Sequence, residues 1–290
     1  MNAPERPSPL RSLRVVAVTS GKGGVGKTSL TVNLALLFAR QGRRVLIIDG
    51  DTGLANVDIL MDLQPRATLR HLLAGEVGIE DVLLESKHGV TILPGGSGVA
   101  ELAELSVMAQ RELLESVDGL GDQFDTVLVD TAAGIGSNAR FFAGAAQEVL
   151  VVATPEPTAM ADAYAMIKVL SRHCGVTRVG VVLNQVVGKE EARDVFERLD
   201  QLCARFLPVS LDFVGAIPRD AHVREAVMAQ LPLVVAYPAS PAAQALAKLA
   251  DDILSRPAPT GPDGRLQLFW TRLLADAAAS TSAESRGSVQ

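Results

Sequence analysis

Nine residues near the start of the chain limit the fold more than any others: Ser20-Gly21-Lys22-Gly23-Gly24-Val25-Gly26-Lys27-Thr28. Within them, Gly21-x4-Gly26-Lys27-Thr28 has the spacing G-x-x-x-x-G-K-[ST], between the apolar run Val15-Val16-Ala17-Val18 and a helical stretch, Thr28 to Arg40. Strand, glycine-rich turn and helix in that order make a cradle for a phosphate chain. Glycines let backbone N–H groups approach phosphate oxygens, and the helix start adds partial positive charge. In such a loop Lys27 reaches the β- and γ-phosphates and the Thr28 hydroxyl can ligate Mg2+. Gly21 to Ser29 are therefore the expected phosphate contacts; a glycine turn without nucleotide is the plainer alternative.

The rest of the chain supplies the sheet that such a loop needs. Short β-branched runs recur at Val45-Leu46-Ile47-Ile48, Val90-Thr91-Ile92-Leu93, Thr126-Val127-Leu128-Val129, Val149-Leu150-Val151-Val152, Val179 to Leu183 and Phe213 to Ile217. Runs of this kind suit strands buried on both faces. Helical stretches lie between them, including Ala100 to Val117, Thr158 to Arg172, Glu190 to Phe206 and Arg219 to Gln230. The alternation predicts an α/β fold, a doubly wound and mostly parallel sheet with helices on both faces and ligands beyond the carboxyl ends of the strands.

The organisation expected is a lead-in over 1–12, a main domain over 13–255, a linker over 256–264 dense in Pro and Gly, a helix over 265–276 and a disordered tail over 277–290. The formal net charge of −6 argues against reliance on diffuse attraction to nucleic acid, so no direct nucleic-acid partner is expected. Two cysteines, Cys174 and Cys203, do not make a disulfide framework or a metal-binding CxxC pair. The start has no apolar run of the signal-peptide kind and no segment reaches the roughly 18 to 20 apolar residues of a membrane span, so a cytoplasmic location is expected.

Carboxylates complete the picture. Asp49 and Asp51 end the second strand, where one can support a Mg2+ shell and the other can polarise an attacking water, an N-cap or turn role being the bland alternative. Asp130 closes Val127-Leu128-Val129, a strand-end carboxylate aimed at Mg2+, with Thr131-Ala132-Ala133-Gly134-Ile135-Gly136 after it. Lys22 is a second cation inside the loop. One reading sends it across a dimer interface to a partner's phosphates, as a finger supplied in trans; the other leaves it as a solvated surface lysine. The histidines His71, His88, His173 and His222 make no nucleophile-base pattern and read as surface or structural.

Lys22-Gly23-Gly24-Val25-Gly26-Lys27-Thr28 resembles the deviant Walker A motif of the MinD/ParA family of ATPases, and the fold implied is the SIMIBI, MinD-like type of P-loop NTPase. The resemblance implies ATP and Mg2+ as cofactors, slow hydrolysis, and an ATP-bound homodimer in which Lys22 contacts nucleotide in trans. It assigns Lys22, Lys27 and Asp51 to catalysis, and Thr28, Asp49 and Asp130 to the metal. It also implies adenine contacts from Asn184 and from Pro218, Arg219 and Asp220, residues that the sequence alone reads equally well as turn formers.

Gly53 to Leu60, Asp130 to Gly136 and Thr154 to Tyr164 resemble the FlhG/FleN branch, whose members restrict flagellar number and placement. The partners implied are an FlhF-like GTPase or a FleQ-like transcription activator. Residues 1–12 lack the Asp-Gln-Ala motif that many relatives use to activate the GTPase. A MinD-type division-site regulator is the alternative, though MinD would more typically carry serine-proline where this chain has Thr131-Ala132; a ParA-type partitioning ATPase fits the acidic balance less well. On a helix, Leu266, Phe269, Trp270, Leu273 and Leu274 gather on one face, which suits reversible attachment to the inner membrane or docking on the chain's own domain.

Overall fold

The computed structural model describes residues 13–51, 55–96, 105–120 and 123–257. The expected lead-in 1–12, the segment 52–54, the start of the expected helix at Ala100, most of the linker, the helix 265–276 and the tail 277–290 lie outside the described residues. The elements run β1 (Arg14–Ser20), α1 (Lys27–Arg40), β2 (Val45–Gly50), α2 (Val57–Leu60), α3 (Leu69–Leu73), α4 (Ile79–Val82), β3 (Leu84–Glu85) and β4 (Val90–Leu93). Then come α5 (Val107–Asp118), β5 (Thr126–Ala133), α6 (Ser137–Ala145), β6 (Glu148–Ala153), α7 (Pro157–Cys174), β7 (Arg178–Val186), α8 (Lys189–Phe206), β8 (Ser210–Pro218), α9 (Ala221–Met228), α10 (Leu233–Ala236) and α11 (Pro241–Ser255).

The strands form one sheet in the order β3-β4-β2-β5-β1-β6-β7-β8. Every described pairing is parallel except β3 with β4. Every residue of β1 and β2 is buried, as their uninterrupted apolar runs require. Side chains alternate between two cores. Ala17, Leu46, Val127 and Val129 face the side covered by α5, α6, α7 and α8, whereas Val16, Ile47, Leu128 and Val152 face α1, α10 and α11. Each of the buried Val, Leu and Ile side chains among them contributes about 1.5 to 3 kcal/mol of transfer free energy.

From β1 the chain crosses over β5 to reach β2, and later turns to the other side for β6, β7 and β8. The order of winding thus reverses beside β1, and a crevice opens beyond its carboxyl end. The phosphate loop sits there. Among the described residues, no helix is long and apolar enough to cross a membrane.

All the expected strands are present, but some element ends differ. Among the described residues, the helix expected from Ala100 to Val117 covers 107–118, where the Ser106 hydroxyl accepts from Ala109 N and caps its start. The helix expected from Arg219 to Gln230 runs only over 221–228: the Asp220 carboxylate caps its start, and Gln230 takes a left-handed φ of 52° just past its end.

Candidate nucleotide site

The loop between β1 and α1 is shaped by two left-handed glycines, Gly24 at φ 78° and Gly26 at φ 96°, a region where a side chain would be strained. Gly26 is the N-cap of α1 and offers no side-chain acceptor, and the first turn of α1 holds no acidic residue. The positive end of the helix is therefore left for an external anion. Two packing contacts fix the loop from outside. A Cβ on Gly21 would overlap the Asp162 carbonyl in the second turn of α7, and one on Gly26 would overlap Asn184 Nδ2. Within the loop, the Ser20 hydroxyl donates to Lys22 O at 2.6 Å.

Below the loop lie Lys27, Asp49 and Asp130, all buried. Asp49 and Asp130 are direct neighbours in the β2–β5 register. Asp49 accepts from Asp51 N at 3.1 Å with one oxygen, and from Asn56 N at 3.1 Å and Val57 N at 3.2 Å with the other. Burial first, and the charge of Asp130 second, push its pKa well above the carboxylate range, while those three N–H donors pull it down. Asp130 accepts from the Thr31 hydroxyl at 3.1 Å. Burial raises it to about 6, against the opposing pull of the Thr28 hydroxyl, Lys27 and Thr31. Burial also lowers the Lys27 pKa, with Asp130 and Asp51 acting the other way.

Two adjoining buried carboxylates with one partly desolvated ammonium leave negative charge undercompensated, the condition that a divalent cation relieves. The Thr28 hydroxyl and carboxylate oxygens are hard donors suited to Mg2+. Among the described residues no group of three or more His, Cys, Asp or Glu could hold a metal. A cation here would share Thr28 and Asp130 with phosphate oxygens and water, as Mg2+ does in nucleotide sites.

Lys22 stands at the rim, half exposed, with Nζ 3.2 Å from Glu156 Oε2 and 3.4 Å from Thr158 Oγ1 at the start of α7. On the far side, Asn184, inside β7 and not at its end, donates to Val25 O at 2.7 Å, while its Oδ1 accepts from Gln185 N at 2.9 Å. Arg219 N donates to Val186 O at 2.9 Å, so the segment Pro218-Arg219 lies beside the exit of β7. Asp220 accepts from His222 N at 3.0 Å, His222 Nδ1 at 2.8 Å and Ala242 N at 3.1 Å. Burial works against its charge, but these donors and the Ser240 hydroxyl hold its pKa down to about 2. Its carboxylate caps α9 and ties down the start of α11.

Sequence reasoning did not single out Thr31, and it met Glu156 and Thr158 only within the segment Thr154 to Tyr164, not as partners of Lys22. For Thr31 a signal existed: it lies three residues after Thr28 and so on the same face of α1.

The CobQ/CobB/MinD/ParA nucleotide binding domain matches residues 16–233. This chain belongs to that family. It is 44% identical over 265 residues, 91% of the chain and 95% of the relative, to a Pseudomonas aeruginosa protein named antiactivator FleN. It is 31% identical over 266 residues, 90% of each chain, to a Helicobacter pylori protein named flagellum site-determining protein YlxH. In three dimensions it resembles the septum site-determining protein MinD of Pyrococcus horikoshii, solved with Mg-ADP, with a TM-score of 0.69 and 29% identity over 83% of this chain and 96% of that one.

Proposed function

We propose that this chain is an ATP-dependent dimerising switch that restrains flagellar number or placement. The observation that carries the reading is the near full-length relation to an antiactivator, at 44% identity over 91% of the chain. The site chemistry supports it. An uncapped helix start, Lys27 and two undercompensated carboxylates make a place for Mg-ATP.

In this reading Gly21 to Ser29 wrap the phosphates, with Thr28 and Asp130 on the Mg2+ side and Asp49 in its outer support. Mg2+ supplies charge neutralisation at the phosphates. Asp51, at the exit of β2, orients the attacking water, and Lys27 steadies the charge that develops on the terminal phosphate. Asn184, Pro218 and Arg219 flank the base. Asp220 contributes by fixing the backbone there, since its oxygens already have donors. Lys22 leaves Glu156 and Thr158 to reach a second protomer's nucleotide, so hydrolysis is slow in the monomer and the dimer is the signalling form. Output is a changed surface for a FleQ-like transcription activator or an FlhF-like GTPase, and 265–276 holds the dimer at the inner membrane by pairing two weak anchors.

The test is genetic and cellular. Cells lacking the chain are expected to carry extra or misplaced flagella, restored by the parent gene and not by Lys27→Ala. Normal flagella with misplaced septa would overturn the flagellar reading in favour of the MinD-type one, which the likeness to a septum site-determining protein motivates.

A further inference from the structure

Thr31 sits one turn into α1, fully buried, with its hydroxyl 3.1 Å from Asp130 Oδ1 and 3.1 Å from Lys27 O. A hydroxyl has one proton to give. The Lys27 carbonyl is, by helix geometry, already the acceptor for the amide of Thr31. A hydrogen bond to an ionised carboxylate is about twice as strong as one to a neutral carbonyl. The proton therefore goes to Asp130. The Thr28 hydroxyl also favours the charged form of Asp130, so two hydroxyls on one face of α1 act on the same carboxylate.

We infer that Thr31 is a positioning residue for Asp130, the donor that keeps this carboxylate oriented once Thr28 is engaged by the cation and phosphates. The inference rests on the reading of Thr28 and Asp130 as metal-side groups. A buried carboxylate that lost the influence of Thr28 and had no other donor would be free to rotate. Thr31 cannot swing to the ligand itself, because it lies a full turn below the loop and is enclosed by the core. It touches neither phosphate nor metal.

The experiment titrates a fluorescent ATP analogue into the full chain, in EDTA and across a Mg2+ series. Thr31→Val keeps the side-chain shape and removes the donor. It is expected to leave affinity in EDTA within about two-fold of the parent, and to raise the Mg2+ concentration for half-maximal binding about ten-fold, the scale of a lost charge-assisted hydrogen bond. Thr31→Ser is expected to restore the parent value. Equal weakening in EDTA and Mg2+, or a serine variant as impaired as valine, would overturn the inference by placing the effect in the helix. Thermal denaturation without nucleotide gives an independent readout: Thr31→Val should lower Tm in the parent at least twice as much as in an Asp130→Asn background, and additive shifts would overturn the pairing. A parent whose binding ignores Mg2+ overturns the metal reading of Asp130 and the role of Thr31 with it. A Mg2+-dependent parent with an indifferent Thr31→Val overturns Thr31 alone.

Discussion

The side chains of Asp130, inside β5, and Asp220, in the turn after β8, are both removed from water, yet their acidities lie on opposite sides of the ordinary value, at about 6 and about 2. The difference lies in the donors each is given. Asp220 receives two backbone N–H groups, an imidazole and a hydroxyl, so the protein itself satisfies its charge. Asp130 receives hydroxyls and a lysine ammonium that burial weakens, and it lies next to a second buried carboxylate. A satisfied buried charge holds structure together. An undersatisfied one costs stability and is kept where a ligand will complete it.

The largest effect that would break this contrast is at Asp220. Asp220→Ala removes the cap of α9 and the tie to α11, and urea unfolding is expected to report a loss of about 3 kcal/mol. A loss under about 1 kcal/mol would contradict its structural role. Asp130→Asn should do the reverse. Without nucleotide at pH 8 the chain gains up to about 3 kcal/mol, since a folded value near 6 against an unfolded value near 3.8 penalises the ionised form, while Mg2+-dependent nucleotide binding disappears.

The pH dependence sharpens the pair further. Because the folded value of Asp130 is raised, its contribution is fully present below about pH 4 and is lost as pH rises through 6, so the nucleotide-free chain should be more stable at pH 5 than at pH 8. Asp220 has a lowered folded value, so its contribution is present above about pH 4 and fades as pH falls toward 2. Denaturant midpoints measured from pH 8 to pH 3 should therefore rise and then fall, and Asp130→Asn should flatten the rise. A monotonic curve unaffected by that substitution would contradict the assignment. The smallest stability effect belongs to Lys22→Ala. Its ion pair with Glu156 is exposed on both sides, so unfolding should shift by less than about 0.5 kcal/mol.

How much of this was legible in the sequence follows the range of the forces involved. The strands read directly, because β-branched runs such as Val45 to Ile48 pack into a doubly covered sheet whatever surrounds them. The loop read directly because its spacing is local chemistry. By contrast α6, Ser137–Ala145, alternates small and bulky residues without a clean stripe, and was not anticipated; nor was α11, which starts at Pro241 under the Ser240 cap. Asp49 and Asp220 were recognised as important positions. What their oxygens touch could not be read, because Asn56, Val57 and Ala242 reach them only through the folding of loops that no local pattern encodes. The Lys22 contact with Glu156 spans 134 residues and was equally invisible.

In the proposed function the loop is one half of a two-chain site. Sedimentation velocity of the Asp51→Ala chain with Mg-ATP tests it most directly: this variant, expected to hydrolyse more slowly from the role proposed for Asp51, should sediment as a dimer with ATP and as a monomer with ADP, and adding Lys22→Ala should return it to a monomer. A double variant that dimerises as well as Asp51→Ala would contradict the trans role of Lys22.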